Sequence, residues 1–243
     1  MRKPKSITRP LLALAATVLF ALLQSHMAVA QSTLFNIPST DVVPTKKVYL
    51  EFDFLSHFKS HDDGGFQIYV PRAVIGVGKK VEVGVNVSVV DSLTPDQPVY
   101  ISPNVKWQAY SNEGNGVAVA VGGLLYTPIV HRAGADTYGF LYSVASKRIK
   151  GTYGPRFTGG GYGLPGLRDG LGTKGGAILG YEQPVSKKVA FVTDWFSGKN
   201  AFGYVTPGFS ITLPKSSLLN IGYSIGNQGR GNNALFVYYG ITF

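Results

Sequence analysis

The chain has 243 residues, enough for one large domain, of which 31 are glycine, 12% are aromatic and only 15% are charged. It contains no cysteine, so the sequence predicts no disulfide framework, no thiolate metal site and no lipidated N-terminal cysteine. Abundant glycine, tyrosine and phenylalanine favour short strands and tight turns over helices, and the composition therefore indicates an all-β protein.

Residues 1–30 have the three parts of a secretory signal peptide. The first nine residues include four basic ones, residues 11–23 form an apolar run broken only by Thr17, and residues 28–30 read Ala-Val-Ala. The apolar run is too short to span a bilayer comfortably, which argues against the alternative of an N-terminal membrane anchor. We therefore predict export, with cleavage after Ala30. None of the 13 acidic residues lies in residues 1–30, so removing four of the 23 basic ones lowers the formal net charge from +10 to +6.

The rest of the chain divides at residue 45. Residues 31–45 contain Pro38 and Pro44 and show no clear period, and we interpret them as a periplasmic lead-in that can tuck into the mouth of a barrel. Residues 46–243 contain twelve segments that we predict to be strands, because apolar residues recur at every second position in many of them. These segments are residues 47–58, 66–77, 80–90, 99–110, 116–128, 138–148, 154–164, 174–183, 188–196, 202–213, 218–226 and 233–243.

The lengths of these segments and of their connections indicate the fold class. Most segments run nine to thirteen residues, which suits a strand that crosses a bilayer at a tilt, whereas strands of a soluble sandwich, the alternative, are usually nearer five or six. Short turns alternate with mostly longer loops, as in barrels that span a membrane. The sequence therefore predicts a transmembrane antiparallel up-and-down β-barrel of about twelve strands, within a range of about 10–14, with both ends on the short-turn, periplasmic side.

The most regular strand predicts which face meets lipid. Residues 81–89 place a valine at every second position, with smaller or polar residues between them. We expect Val83, Val85 and Val87 to face lipid, and Glu82 and Asn86 to face the lumen, because successive side chains of a strand point to opposite faces.

The last eleven residues have one apolar face and end on an aromatic residue. The apolar positions are Leu235, Val237, Tyr239, Ile241 and Phe243. A final strand of this kind resembles the assembly signal of Gram-negative outer-membrane β-barrels, and the barrel region as a whole is similar in architecture to loosely defined outer-membrane transporter barrels, some of them linked to aromatic-compound degradation. The resemblance implies a bacterial outer-membrane location, contact with outer-membrane lipid, and recognition of the last strand by the barrel-assembly machinery.

Nine charged residues are predicted to line the lumen. In chain order they are Glu51, Asp53, Arg72, Glu82, Lys106, Lys147, Arg156, Glu182 and Asp194. Acids and bases alternate on the first four strands at similar depth, and neighbouring strands lie only ~5 Å apart, so we expect these charges to pair with each other before they act on a passing ion. The charge pattern predicts a narrow and weakly selective constriction.

Sites for chemistry are scarce in this sequence. The predicted mature chain holds three histidines, His57, His61 and His131, all at or beside the predicted outer loops, and no catalytic, cofactor-binding or metal site is predicted. The basic pairs fall at the periplasmic turns, where they can meet lipid phosphates, so nucleic acid is not an expected partner. We therefore expect a passive channel for small solutes and not an enzyme. The alternative is a structural or adhesin-like barrel without transport.

Overall fold

The structure is a computed structural model that describes residues 32–243, and the predicted signal peptide and its cleavage after Ala30 lie outside the described residues. The described chain forms one closed antiparallel barrel of twelve strands, which confirms the predicted fold class and strand number. The strands are β1 (Val48–His57), β2 (Phe66–Gly78), β3 (Val81–Ser92), β4 (Val99–Asn112), β5 (Val117–Val130), β6 (Tyr138–Arg148), β7 (Arg156–Gly163), β8 (Gly175–Pro184), β9 (Val189–Phe196), β10 (Tyr204–Leu213), β11 (Ser217–Gly226) and β12 (Ala234–Thr242).

Each strand pairs with its neighbours in chain order, and β12 closes the barrel against β1. The turns at the end that carries both termini of the barrel are mostly shorter than the loops at the other end. In the tightest turn, between β2 and β3, Lys79 and Lys80 have φ angles of 38° and 66°. Two consecutive residues with positive φ are what a two-residue hairpin with the right-handed twist of its strands requires. No helix of the described chain is long and apolar enough to span a membrane.

Side chains alternate between the two faces of the wall as the period of two requires. On β12, Phe236 and Tyr238 are buried inside the barrel, whereas Tyr239 is 42% exposed on the outside. On β3, Glu82 is buried, and the valines that flank it are only half-buried on the outer face. Many large apolar side chains elsewhere are exposed, and they include Leu50, Phe52, Val105, Leu141, Phe157, Leu179 and Phe209. An apolar outer wall of this kind suits contact with lipid.

Strand β6 has the opposite phase to the one expected from sequence. Tyr142, Val144 and Ser146 are buried towards the lumen, while Leu141 is 56% exposed and Lys147 is exposed on the outer face. The prediction that Lys147 lines the lumen is therefore wrong. The physical reason is that this part of the lumen is apolar, so Phe140, Tyr142 and Val144 point inwards and the residues between and after them, Lys147 included, point outwards.

A charge on the outer face of β3 should destabilise the folded protein. Val85 lies on this face near the middle of the strand, opposite Ala73 on β2 and Pro103 on β4. We expect Val85→Arg to cost about 2–4 kcal/mol of unfolding free energy, because the arginine would lie in the apolar layer of the membrane. Asn86→Arg changes the lumenal face and loses one hydrogen bond, from Asn104 at 3.0 Å, worth only about 1 kcal/mol. Denaturant titration in lipid vesicles measures both costs, and equal costs would contradict the assignment of the two faces.

Phe243 extends the pairing of β12 with β1 that closes the barrel. The backbone N–H of Phe243 donates to the carbonyl oxygen of Val48 at 2.8 Å, and the N–H of Val48 donates back to Phe243 at 3.3 Å. Deletion of Phe243 removes both hydrogen bonds and the last aromatic residue of the predicted assembly signal. We expect the truncated protein to lose most of its insertion into the outer membrane, as measured by heat-modifiable migration on a gel. Replacement of Phe243 by Tyr keeps an aromatic terminus and should insert normally. Normal insertion of the truncated protein would contradict this prediction.

Candidate functional site

The lumen of the barrel is occupied by the protein's own N-terminal segment, residues 32–45, which we call the plug. Its first part is a tight turn, in which Leu34 N–H donates to Ile37 O at 2.9 Å and Ser39 N–H donates to Ser32 O at 3.0 Å. Leu34 and Ile37 are fully buried. The segment predicted as a lead-in near the barrel mouth therefore fills the interior of the barrel.

Asp194 on β9 holds the tip of the plug. Its Oδ2 accepts hydrogen bonds from three consecutive backbone N–H groups, those of Phe35, Asn36 and Ile37, at 2.9, 2.6 and 2.9 Å. The side chain of Asn36 also donates to Thr206 Oγ1 at 2.8 Å. Hydrogen bonds to an ionised acceptor are about twice as strong as neutral ones, so this carboxylate is the most concentrated anchor of the plug.

A buried ion pair holds both ends of the plug. Glu82 and Lys106 lie on adjacent strands with Nζ and Oε1 3.0 Å apart, and both side chains are almost fully buried. Glu82 Oε1 accepts from Ser32 Oγ at 2.5 Å and its Oε2 accepts from Val43 N–H at 2.7 Å, while Lys106 Nζ donates to Ser32 O at 3.0 Å. A buried ion pair is stable only when further hydrogen bonds satisfy its remaining donors and acceptors, and here the plug supplies them.

A third group of contacts fixes the middle of the plug. Arg156 Nη1 donates to Asp41 Oδ2 at 2.6 Å, and the same guanidinium forms an ion pair with Glu182 on the adjacent strand. Thr40 Oγ1 lies 2.6 Å from Ser146 Oγ, and both atoms are buried. Because Arg156 joins an acid of the plug to an acid of the wall, its charge is shared between two carboxylates.

Arg72 and Glu51 form a second ion pair of the kind expected from the alternation of acids and bases on the first four strands. Arg72 Nη1 lies 3.1 Å from Glu51 Oε1, and its Nη2 donates to Ser32 Oγ at 3.1 Å. Tyr49 OH donates to the other oxygen of Glu51 at 2.5 Å. Asp53 is half-buried two residues further along the same face.

Glycines on the inner wall make room for the apolar side of the plug. A Cβ atom on Gly208 or Gly222 would lie 2.5 or 2.8 Å from the ring of Phe35, and one on Gly180 would lie 2.6 Å from Ile37. Such distances are too short for any real side chain, so the phenyl ring sits directly on the backbone of the wall. Gly208 and Gly222 are opposite each other on β10 and β11, which makes the recess two strands wide.

Aromatic side chains fill the lumen on the side of the longer loops. Phe140 packs against Tyr162, Phe196 and Phe202 with ring centroids 5.5, 5.7 and 5.1 Å apart. Together with the plug residues these rings belong to one buried apolar cluster. The plug and these rings are therefore packed against each other inside the barrel.

The charged residues that were predicted to line the lumen differ in where they lie and in whether they contact the plug. Eight of the nine predicted lumenal charges lie on the inner face, and five of those eight contact the plug directly: Arg72, Glu82, Lys106, Arg156 and Asp194. The sequence reasoning missed Asp41 and the polar residues of the plug. Asp41, three residues before Pro44 in a segment without periodicity, gives no local signal of its partner.

Two of the histidines near the outer loops form hydrogen bonds with neighbouring protein groups. His57 Nδ1 contacts Asn233 O, and His61 Nε2 contacts Gln67 Oε1. Among residues 32–243, no group of three or more possible ligands is placed to hold a metal ion.

Comparison with known proteins identifies the fold and no more. No model of a known protein family matches the chain, and no curated protein matches it in sequence. Among solved structures, an outer-membrane channel from Pseudomonas putida F1 is similar, with a TM-score of 0.53 over 83% of this chain and 97% of that one. The two sequences are only 12% identical. The chain therefore has the fold of an outer-membrane β-barrel.

Proposed function

We propose that the protein is a passive outer-membrane channel for small solutes, closed in this structure by its own N-terminal plug. The proposal rests on one observation: the centre of the lumen is filled by a segment that side-chain and backbone hydrogen bonds attach to the wall, and not by side chains of the wall alone. A segment held in this way can withdraw without breaking the barrel. Its withdrawal empties the centre of the lumen and exposes the polar groups that had held it.

The geometry of the wall supports a narrow pore. Twelve strands ~4.8 Å apart and tilted by about 40° give a wall of roughly 12 Å radius, which leaves room for a hydrated path once the centre is empty. The fold likeness to an outer-membrane channel, and the apolar outer wall, support a location in the bacterial outer membrane. The expected partners are lipid, the barrel-assembly machinery and small solutes. Neither nucleic acid binding nor enzyme activity is part of the proposal.

The open pore should be weakly selective and should prefer cations modestly. With Lys147 on the outer face, the predicted charges that lie on the inner wall are five acids, Glu51, Asp53, Glu82, Glu182 and Asp194, and three bases, Arg72, Lys106 and Arg156. Each base is paired with an acid of the wall, and pairing cancels most of the field on a permeating ion. Reversal potentials across a salt gradient in a planar bilayer measure the preference. A preference for anions, or strong selectivity for either sign, would show that the wall charges act differently.

The second candidate function is a structural barrel without transport. The buried apolar cluster that joins Leu34, Phe35 and Ile37 to the wall favours it, because a permanently filled lumen has no need of a path. Single-channel recording of the full mature chain in a planar bilayer separates the two functions. A channel shows discrete openings, whereas a structural barrel shows none under any voltage.

A further inference from the structure

The outer wall of the barrel carries a trough of about 690 Å³ that crosses strands from β5 to β10. Its floor is formed by Ala145 on β6 and Gly159 on β7, which are opposite each other in the sheet. Its sides are formed by larger apolar side chains, among them Phe157, Leu179 and Trp195. A Cβ atom on Gly159 would meet only the end of Leu179, at 3.8 Å, so the space above this glycine is empty.

A single basic side chain lies at the periplasmic end of this trough. Lys147 follows Ala145 by two residues on the same outer face, one residue before the end of β6. Its Nζ donates to the carbonyl oxygen of Asn115 at 2.5 Å, and this contact occupies one of the three protons of the ammonium group. A lysine on a lipid-facing wall is favourable only where its charge reaches the membrane surface, which places Nζ at the level of lipid headgroups.

We propose that the trough binds one anionic phospholipid of the periplasmic leaflet, with an acyl chain over Ala145 and Gly159 and the headgroup phosphate on Lys147. The apolar trough fits a hydrocarbon chain, and the cation at its end fits a phosphate. From β6 to β10 the trough spans four strand spacings, or about 19 Å, so an acyl chain can lie along it. This proposal assumes the membrane location given above, and its test separates the two.

A second trough on the same wall provides an internal comparison. It has a similar volume, about 720 Å³, and lies over Gly123 between β4 and β6. Its lining includes Trp107, Leu125 and Leu141 but no charged residue. The second trough can therefore accept an acyl chain of any lipid, without preference for an anionic headgroup.

The two troughs each contain one of the two tryptophans of the chain, which allows a direct test. The full mature chain carrying Trp107→Phe reports on the first trough, and the chain carrying Trp195→Phe reports on the second. Each is refolded into phosphatidylcholine vesicles that contain a fixed small fraction of brominated phosphatidylglycerol or brominated phosphatidylcholine, and quenching of tryptophan fluorescence gives the relative affinity. We expect Trp195 to show about a fivefold preference for the anionic lipid, the effect of one lysine near the surface, and Trp107 to show none.

Three further variants, each made in the Trp107→Phe background, test whether Lys147 and the floor of the trough cause the lipid preference. Lys147→Gln should abolish the preference, whereas Lys215→Gln, at an exposed lysine in the turn between β10 and β11, should leave it unchanged. Gly159→Leu fills the floor of the trough and should reduce quenching of Trp195 by both brominated lipids. Because Lys147 and Lys215 are exposed, neither change should prevent folding.

Each contrary result has a distinct meaning. Equal quenching of Trp195 by the two lipids, or an unchanged preference in Lys147→Gln, would overturn the proposal. An equal loss in Lys147→Gln and Lys215→Gln would also overturn it, since general surface charge would then explain the preference. If Trp195 were shielded from both lipids while Trp107 was quenched, a second copy of the chain would cover the trough and the lipid proposal would fail. If neither tryptophan were quenched by any brominated lipid, the membrane location itself would be wrong.

Discussion

An oxidised Thr40→Cys/Ser146→Cys variant is expected to hold the pore closed, and reduction of its disulfide is expected to restore openings. The hydroxyl oxygens of Thr40 and Ser146 lie 2.6 Å apart in the closed state, so the two side chains point at each other across the contact between plug and wall, and a disulfide is the expected product when both are cysteine. The natural chain has no cysteine, and the engineered pair can therefore form only one intramolecular disulfide. A covalent link between plug and wall removes every state in which the plug has withdrawn.

The expected effect is large and reversible. The link holds the plug in place in every molecule that carries it, so openings should disappear from the oxidised sample in proportion to the fraction that is linked. Single-channel recording of the same sample before and after addition of a reductant measures the change. The single variants Thr40→Cys and Ser146→Cys lose the same hydrogen bond but cannot form the link, so they should not respond to reductant. If the oxidised double variant conducts as the natural protein does, the plug is not the gate.

The architecture of the wall could be predicted from sequence because it depends on local signals. The period of two, the strand lengths and the alternation of short turns and longer loops are each visible within about ten residues. These signals gave twelve strands and the outward face of Val85 on β3. They also gave the ion pair between Arg72 and Glu51, because β1 and β2 are joined by one hairpin and their register is set by its ends.

The occupied lumen could not be predicted in the same way, because its contacts join distant parts of the chain. Asp194 meets backbone groups of the plug that precede it by more than 150 residues, and a segment without periodicity gives no register to work from. The lack of a local signal for contacts inside the lumen also explains why Lys147 was predicted on the wrong face of β6. Alternation on β6 offers two phases, one with Ser143 inside and one with Tyr142 inside, and only the apolar content of the lumen decides between them. Gly208 and Gly222 have no local signal either, because nothing in their own segments shows that Phe35 fills the space above them.

Replacement of Asp194 by Asn is expected to release the tip of the plug and raise the open fraction strongly. The carboxylate accepts three backbone N–H groups in the closed state, and an amide carbonyl is a weaker acceptor without charge. Hydrogen bonds to a charged group contribute about 1.5–3 kcal/mol each, so weakening three of them together should shift the equilibrium by at least one order of magnitude. Single-channel recording measures the open fraction, and reaction of a thiol reagent with a Ser39→Cys reporter, at a fully buried position of the plug, measures withdrawal directly.

Asp53 supplies the matched control for this prediction. Its side chain lies on the same inner wall but is not one of those that hold the plug, so Asp53→Asn makes the same carboxyl-to-amide change without removing an anchor. We expect Asp53→Asn to change the reversal potential slightly and to leave both the open fraction and the thiol reaction rate near those of the natural protein. Asp194→Asn should raise both. An equal rise in the two variants would show that lumenal charge, and not the anchor, controls opening. No rise in Asp194→Asn would show that the contacts of Glu82, Lys106 and Arg156 hold the plug without it.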